Sequence, residues 1–104
     1  MSDVSRFTRK EIKMADVKSI GILETNGFTP LITGADAALK AANVDLVEWR
    51  QVGSSMVSFV IEGEVAAVRS AIEAARSAAQ SAGEVMADMV IPRPVDELQT
   101  TFNK

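Results

Sequence analysis

The sequence predicts an α+β domain of the ferredoxin-like type. Its elements run β-α-β-β-α-β, giving one four-stranded antiparallel sheet with two helices on one face. Three observations carry this. Apolar residues alternate along short runs, the period of a half-buried strand. Two longer alanine-rich stretches repeat at helical spacing instead. The order of the runs, with right-handed crossovers, then leaves the split βαβ arrangement. The 104 residues suit one domain around one core.

Met1 to Met14 is polar and unpatterned. Arg6, Arg9, Lys10 and Lys13 against Asp3 and Glu11 give it 4 − 2 = +2. It reads as a flexible extension, or as a basic tether for an acidic partner or surface. Ser19 to Thr25 alternates as a first strand, with Ile20 and Ile22 on one face. Asn26-Gly27 breaks it. Thr29 and Pro30 then read as a capping residue and a proline at the first helical position. The helix is predicted to about Ala42, with Ile32, Ala35, Leu39 and Ala42 on its buried stripe. Asp36 and Lys40, four apart and acid first, pair on the exposed side. Asn43 is the expected terminator.

Val44 to Val52 is the second strand, with Val47 and Trp49 on one face and Trp49 as a large packing residue. Met56 to Glu62 is the third, with Val57, Phe59 and Ile61 alternating against Met56, Ser58 and Val60. Between them stands Val52-Gly53-Ser54-Ser55, a tight turn that makes the two strands antiparallel neighbours. The second helix runs from Glu64 to about Ala82 and buries Val65, Val68, Ile72, Ala75, Ala79 and Ala82. Arg69, Glu73 and Arg76 form a solvated charge row opposite. Gly83 closes the helix, and Glu84 to Ile91 is the fourth strand. Pro92-Arg93-Pro94 stops it, because proline cannot donate to a ladder.

Composition removes several function classes. The chain has no cysteine and no histidine, so disulfides, Cys/His zinc sites and histidine-based triads are absent. No metal and no cofactor is expected. A net charge of −3 argues against general nucleic-acid binding. No apolar run approaches the ~20 residues of a membrane helix, and residues 1–18 lack the apolar stretch of a secretory signal. Asp36, Glu24 and Glu73 are available carboxylates, but no spacing joins a nucleophile to a base, so an enzyme is not expected.

Four blocks then carry a resemblance. Ser19 to Phe28 resembles the opening strand of bacterial microcompartment shell proteins. Gly34 to Val44 looks like their signature helix, Val52-Gly53-Ser54-Ser55 like their pore loop, and Val90-Ile91-Pro92-Arg93-Pro94 like the end of their last strand. The blocks keep the family's order and spacing, and the chain is identified as a single-domain hexameric shell protein, the BMC-domain type. The resemblance implies a non-enzymatic structural protein of the bacterial cytoplasm. Homohexamers tile with neighbouring hexamers and other shell proteins around encapsulated enzymes, and small polar metabolites cross a central pore. It implies a shell domain over 19–95, after an extension over 1–18 and before a tail over 96–104. Gly53, Ser54, Ser55 and Val52 would line the pore. Lys40, Asn43 and Arg93 would make hexamer-edge contacts. An uncharged serine pore points to a catabolic compartment handling small alcohols, aldehydes or amines rather than to a carboxysome.

The chain also departs from the family's pattern. Asn26 stands where lysine is frequent, Glu62 where arginine often precedes the second helix, and Ser55 where glycine is common. The runner-up reading is an oligomeric regulator that binds a small molecule at subunit interfaces.

Overall fold

The structure is a computed structural model and describes residues 18–92. The extension before Lys18, Arg93 and the tail beyond it lie outside the described residues. The order is β1 (Ser19–Asn26), α1 (Phe28–Ala41), β2 (Asp45–Val52), β3 (Met56–Gly63), α2 (Val65–Ala82) and β4 (Glu84–Ile91). The sheet order is β2-β3-β1-β4, and every neighbouring pair is antiparallel. This is the predicted ferredoxin-like topology. Both helices lie on the face built from the buried positions of β1 and β3, and among the described residues the opposite face carries no helix.

The core forms where strand and helix periods agree. Val57, Phe59 and Ile61 on β3 point inward at every second residue, as the sequence predicts. Leu23 on β1 joins them, and Leu31, Ala35 and Ala38 on α1 meet Val68, Ala71, Ile72, Ala75 and Ala79 on α2. Small residues let these layers approach closely. A Cβ on Gly34 would stand 2.9 Å from Leu23 Cδ2 and 3.1 Å from the Ala75 carbonyl oxygen. A Cβ on Gly21 would stand 2.6 Å from Ile72 Cγ1 and 2.8 Å from Val68 Cγ1.

Four local expectations are corrected. The first helix begins at Phe28 with Gly27 as N-cap and no side-chain cap, so Thr29 lies inside the first turn rather than capping it. Pro30 is the third helical residue, still within the turn whose N–H groups lack intrahelical partners, and it is tolerated there for that reason. The buried stripe of α1 is Pro30, Leu31, Gly34, Ala35 and Ala38, whereas Ile32 and Leu39 are 57% and 45% exposed. The helix ends because Ala42 turns extended, not through Asn43, and Val44 donates back to the Ala42 carbonyl. On α2, Val65 and Ala82 sit at the exposed ends of the predicted stripe.

The second strand starts at Asp45, one residue after the expected Val44, and carries an irregularity the alternation does not reveal. Leu46 pairs with Ile61 and Glu48 with Val60, so Val47 is an inserted residue. The insertion puts Leu46 and Trp49 in register with the core-facing Ile61 and Phe59, and Val47 does not share the face of Trp49. Trp49 meets Phe59 edge to face, with ring centroids 6.2 Å apart at 75°. Gly83 closes α2, its N–H donating to the Ala79 carbonyl at 2.9 Å, and sits against the Pro30 ring.

The Gly21 contact sets how near the helical layer can come. Gly21→Ala is expected to cost about 1–3 kcal/mol through overpacking against Ile72 and Val68. Urea unfolding at fixed protein concentration checks this; an unchanged midpoint would mean that α2 gives way at no cost.

Candidate functional site

The turn Val52-Gly53-Ser54-Ser55 forms one pole of the domain. Gly53 has φ +72°, and a Cβ there would meet nothing within 4 Å. Glycine is favoured at this position by backbone conformation alone. Val52 is 61% exposed, and Gly53, Ser54 and Ser55 are exposed beside it. Two hydrogen bonds hold the turn. Gln51 Nε2 donates to the Gly53 carbonyl at 3.3 Å, and the Gly27 N–H donates to the Ser55 carbonyl at 2.6 Å. The second bond ties the tip to the β1–α1 connection. That connection is itself fixed by the buried Thr25, whose Oγ1 donates to the Gly27 carbonyl at 2.9 Å. The four predicted tip residues are thus brought together on a braced hairpin that presents hydroxyls, backbone groups and no charge.

Lys40 and Asn43 occupy the other pole. Helix α1 separates them from the tip, and its 14 residues span about 20 Å. Lys40 Nζ lies 3.1 Å from Asp36 Oδ2, the predicted pair, with both side chains well exposed. Such an i,i+4 pair contributes only about 0.3–0.5 kcal/mol, so it holds Lys40 weakly. Asn43 is exposed next to it. Arg93, the third predicted edge residue, lies outside the described residues.

One feature of the surface is not visible in the alternation of the sequence. Phe28, Ile32, Ala35, Asp36 and Leu39 of α1, with Leu46 and Trp49 of β2, line an apolar groove of about 470 Å³. Phe28, Ile32, Leu39 and Trp49 are each about half exposed. The available signal was the width of the apolar arc on α1. Phe28, Ile32 and Leu39 form a second stripe beside Leu31, Ala35 and Ala38, more than one buried face requires. The opposite flank of the domain is also apolar: on edge strand β4, Met86, Met89 and Ile91 are 45%, 51% and 42% exposed.

The carboxylates do not converge. Glu24 faces away from the helices on β1, Asp36 pairs with Lys40, and Glu73 lies on α2 between Arg69 and Arg76. Arg76 is 3.8 Å from Asp88 on β4, so the charge row on α2 is partly paired across to the sheet. The tip serines have no histidine anywhere in the chain to activate them.

A one-layer helical cover, a braced polar tip and apolar flanks define a subunit built to sit among copies or relatives of itself. The comparisons agree with that class. The BMC domain family matches residues 19–94, and the chain belongs to this family. It is 41% identical over 87 residues to the bacterial microcompartment shell protein PduA of Citrobacter freundii, covering 84% of this chain and 94% of that one. It is 46% identical over 87 residues to the carboxysome assembly protein CcmO of Synechococcus elongatus, covering 84% of this chain. There it spans about a third of the relative's length, 32%. Among solved structures, a microcompartment protein from Desulfitobacterium hafniense superposes with TM-score 0.68 at 40% identity, over 74% of this chain and 42% of that one.

The backbone argument at the tip is directly testable. Gly53→Ala is expected to cost about 1–2 kcal/mol, the left-handed penalty alone, because no atom crowds the new Cβ. Gly53→Asn should cost less, since asparagine tolerates that region better. Thermal unfolding of both variants checks the order; equal stability of wild type and Gly53→Ala would contradict it.

Proposed function

We propose that this chain is a structural subunit of a bacterial microcompartment shell, closing with identical copies into a hexamer whose axis passes the Val52-Gly53-Ser54-Ser55 tip. The structural shell role follows from membership of the BMC-domain family and from relatives that are themselves shell proteins. It puts the chain in the bacterial cytoplasm, within the shell. The role is structural rather than catalytic. No observation favours the small-molecule regulator.

The observation that carries the ring and its pore is the polarity of the domain. The small, uncharged tip stands at one end of α1 and the exposed Lys40 at the other. A tip that meets its symmetry copies at an axis must be small, and glycine and serine satisfy this. The apolar flanks support ring closure. The α1–β2 groove and the β4 surface lie on opposite edges of the sheet and differ in shape. Two different apolar surfaces favour head-to-tail contact, the kind that closes into a ring when the rotation allows.

In this arrangement Ser54 lines the opening, with Gly53, Ser55 and Val52 beside it. Hydroxyls and backbone N–H groups would replace water around a small polar or anionic metabolite. Lys40, Asn43 and Arg93 meet neighbouring hexamers and other shell proteins at the perimeter. The Lys40 stem packs across the edge, and Arg93 brings the guanidinium's planar fork of donors to it. The enclosed volume holds the compartment's enzymes, and small alcohols, aldehydes or amines are the solutes best suited to the uncharged opening.

Two substitutions separate the roles of the poles. Ser54→Leu is expected to leave assembly intact and to lower metabolite passage across reconstituted shells severalfold; unaltered flux would remove the pore from this account. Lys40→Ala is expected to leave the ring intact and to reduce extended sheets in electron micrographs. Sheets of normal size and order would remove Lys40 from the edge.

A further inference from the structure

The joint between β1 and α1 ties the tip to the core through one residue. The register of β1 against β3 runs from Ser19↔Gly63 to Asn26↔Met56. One step further it sets Gly27 opposite Ser55, the last residue of the tip. There the Gly27 N–H donates to the Ser55 carbonyl at 2.6 Å. The Gly27 carbonyl accepts the Thr25 hydroxyl at 2.9 Å, and Thr25 is fully buried. One peptide group of Gly27 is therefore held by the tip and the other by the core.

Gly27 also has a backbone conformation that favours glycine. Its φ and ψ are 95° and 160°, a region populated almost only by glycine. A Cβ there would meet nothing within 4 Å, so conformation and not crowding calls for glycine. Such a conformation persists where its surroundings over-determine it, and it concentrates at positions whose geometry is used. Here the two hydrogen bonds fix the peptide planes on either side of it. Asn26 adds a third restraint, its Nδ2 donating to Glu84 Oε1 at 3.3 Å.

The hydroxyl is what distinguishes Thr25. A buried strand position accepts valine, which has the same shape and equal preference for strands. The polar atom of Thr25 finds its partner in the Gly27 carbonyl. Its effect reaches the tip. With the Ser55 carbonyl bonded to Gly27, the tip turns hydroxyls and backbone N–H groups outward and withholds one strong acceptor. Released, that carbonyl could turn outward, and a ring would repeat the change in every copy. Rings of carbonyl oxygens favour cations, whereas converging N–H groups favour anions and other acceptors.

We infer that Thr25 is a positioning residue for passage. Acting through Gly27, its hydroxyl holds the Ser55 carbonyl out of the opening. This shifts selectivity toward solutes that bring acceptor oxygens and away from ammonium ions. The inference rests on the tip lining a pore, as proposed above.

Efflux of two carbon-14-labelled probes from reconstituted shells tests it: acetate and ethylammonium, both two-carbon ions of single, opposite charge. The acetate-to-ethylammonium flux ratio is expected to fall severalfold in Thr25→Val and to return in Thr25→Ser, which keeps the hydroxyl. A merely structural Thr25 would change both fluxes together and leave the ratio unmoved. Ser54→Leu separates the two levels of the account. If it slows neither probe, the pore is absent and the inference falls with it. If it slows both while Thr25→Val leaves the ratio unchanged, the pore stands and the inference alone falls. Hydrogen exchange at the Gly27 amide, measured in the assembled wild-type protein, needs no variant. Slow exchange is expected, severalfold faster in Thr25→Val. An unprotected Gly27 amide in the wild type, or a Thr25→Ser ratio that stays with that of Thr25→Val, would overturn the assignment.

Discussion

The close contact of the helical layer with the sheet is the constraint on which the rest depends. Gly21 lets α2 settle onto β1, and Gly34 lets α1 settle onto Leu23 and the Ala75 carbonyl. Ala38, Ala75 and Ala79, all fully buried, extend the same narrow seam. With almost no aromatic side chains to fill space, the core is dense only because small residues let backbones approach. Once α1 is seated on its Leu31–Gly34–Ala38 side, Ile32 and Leu39 cannot also face inward. They are left on the flank, where with Trp49 they make the groove. An apolar surface of that kind is costly for a solitary domain and useful for one that joins copies of itself.

The same seating fixes the two poles. Helix α1 follows its N-cap Gly27, whose N–H donates to the Ser55 carbonyl, and it ends beside the exposed Lys40. The tip and the perimeter candidates are therefore set by one rigid element rather than by loops that drift independently. At the tip, backbone conformation at Gly53 and small hydroxyl residues give a compact, uncharged end. At the other pole a long cationic side chain is bound only by a weak surface pair. Shape and chemistry thus change along the helix from a small uncharged tip to an exposed cationic side chain.

Much of this was legible in the residues, for identifiable reasons. Strand β3 reads correctly because Val57, Phe59 and Ile61 keep a strict period of two in the interior of the sheet. The Asp36–Lys40 pair reads correctly because it is local. What could not be read depends on contacts distant in sequence. Ile32 and Leu39 fit a buried helical stripe as well as Leu31 and Ala38 do; only the position of α2 decides between them. Val47 and Trp49 alternate in sequence, but the insertion in β2 is a property of its pairing with β3. Thr29-Pro30 is a good helix start, yet the bond from Gly27 to Ser55 moves the start upstream. The tip was legible as a turn from Gly53 alone. Its grouping with Val52, Ser54 and Ser55 was legible too, because the four are consecutive between two strand-like runs, whereas a pore needs further copies of the chain.

The groove, the β4 surface and the two poles are the features on which the proposed ring rests. Native mass measured across concentration and salt addresses this most directly. A single species of six chains, persisting as the protein is diluted, is the expected result. A protein that remains monomeric under every condition, with its groove and β4 edge open to solvent, would contradict the account.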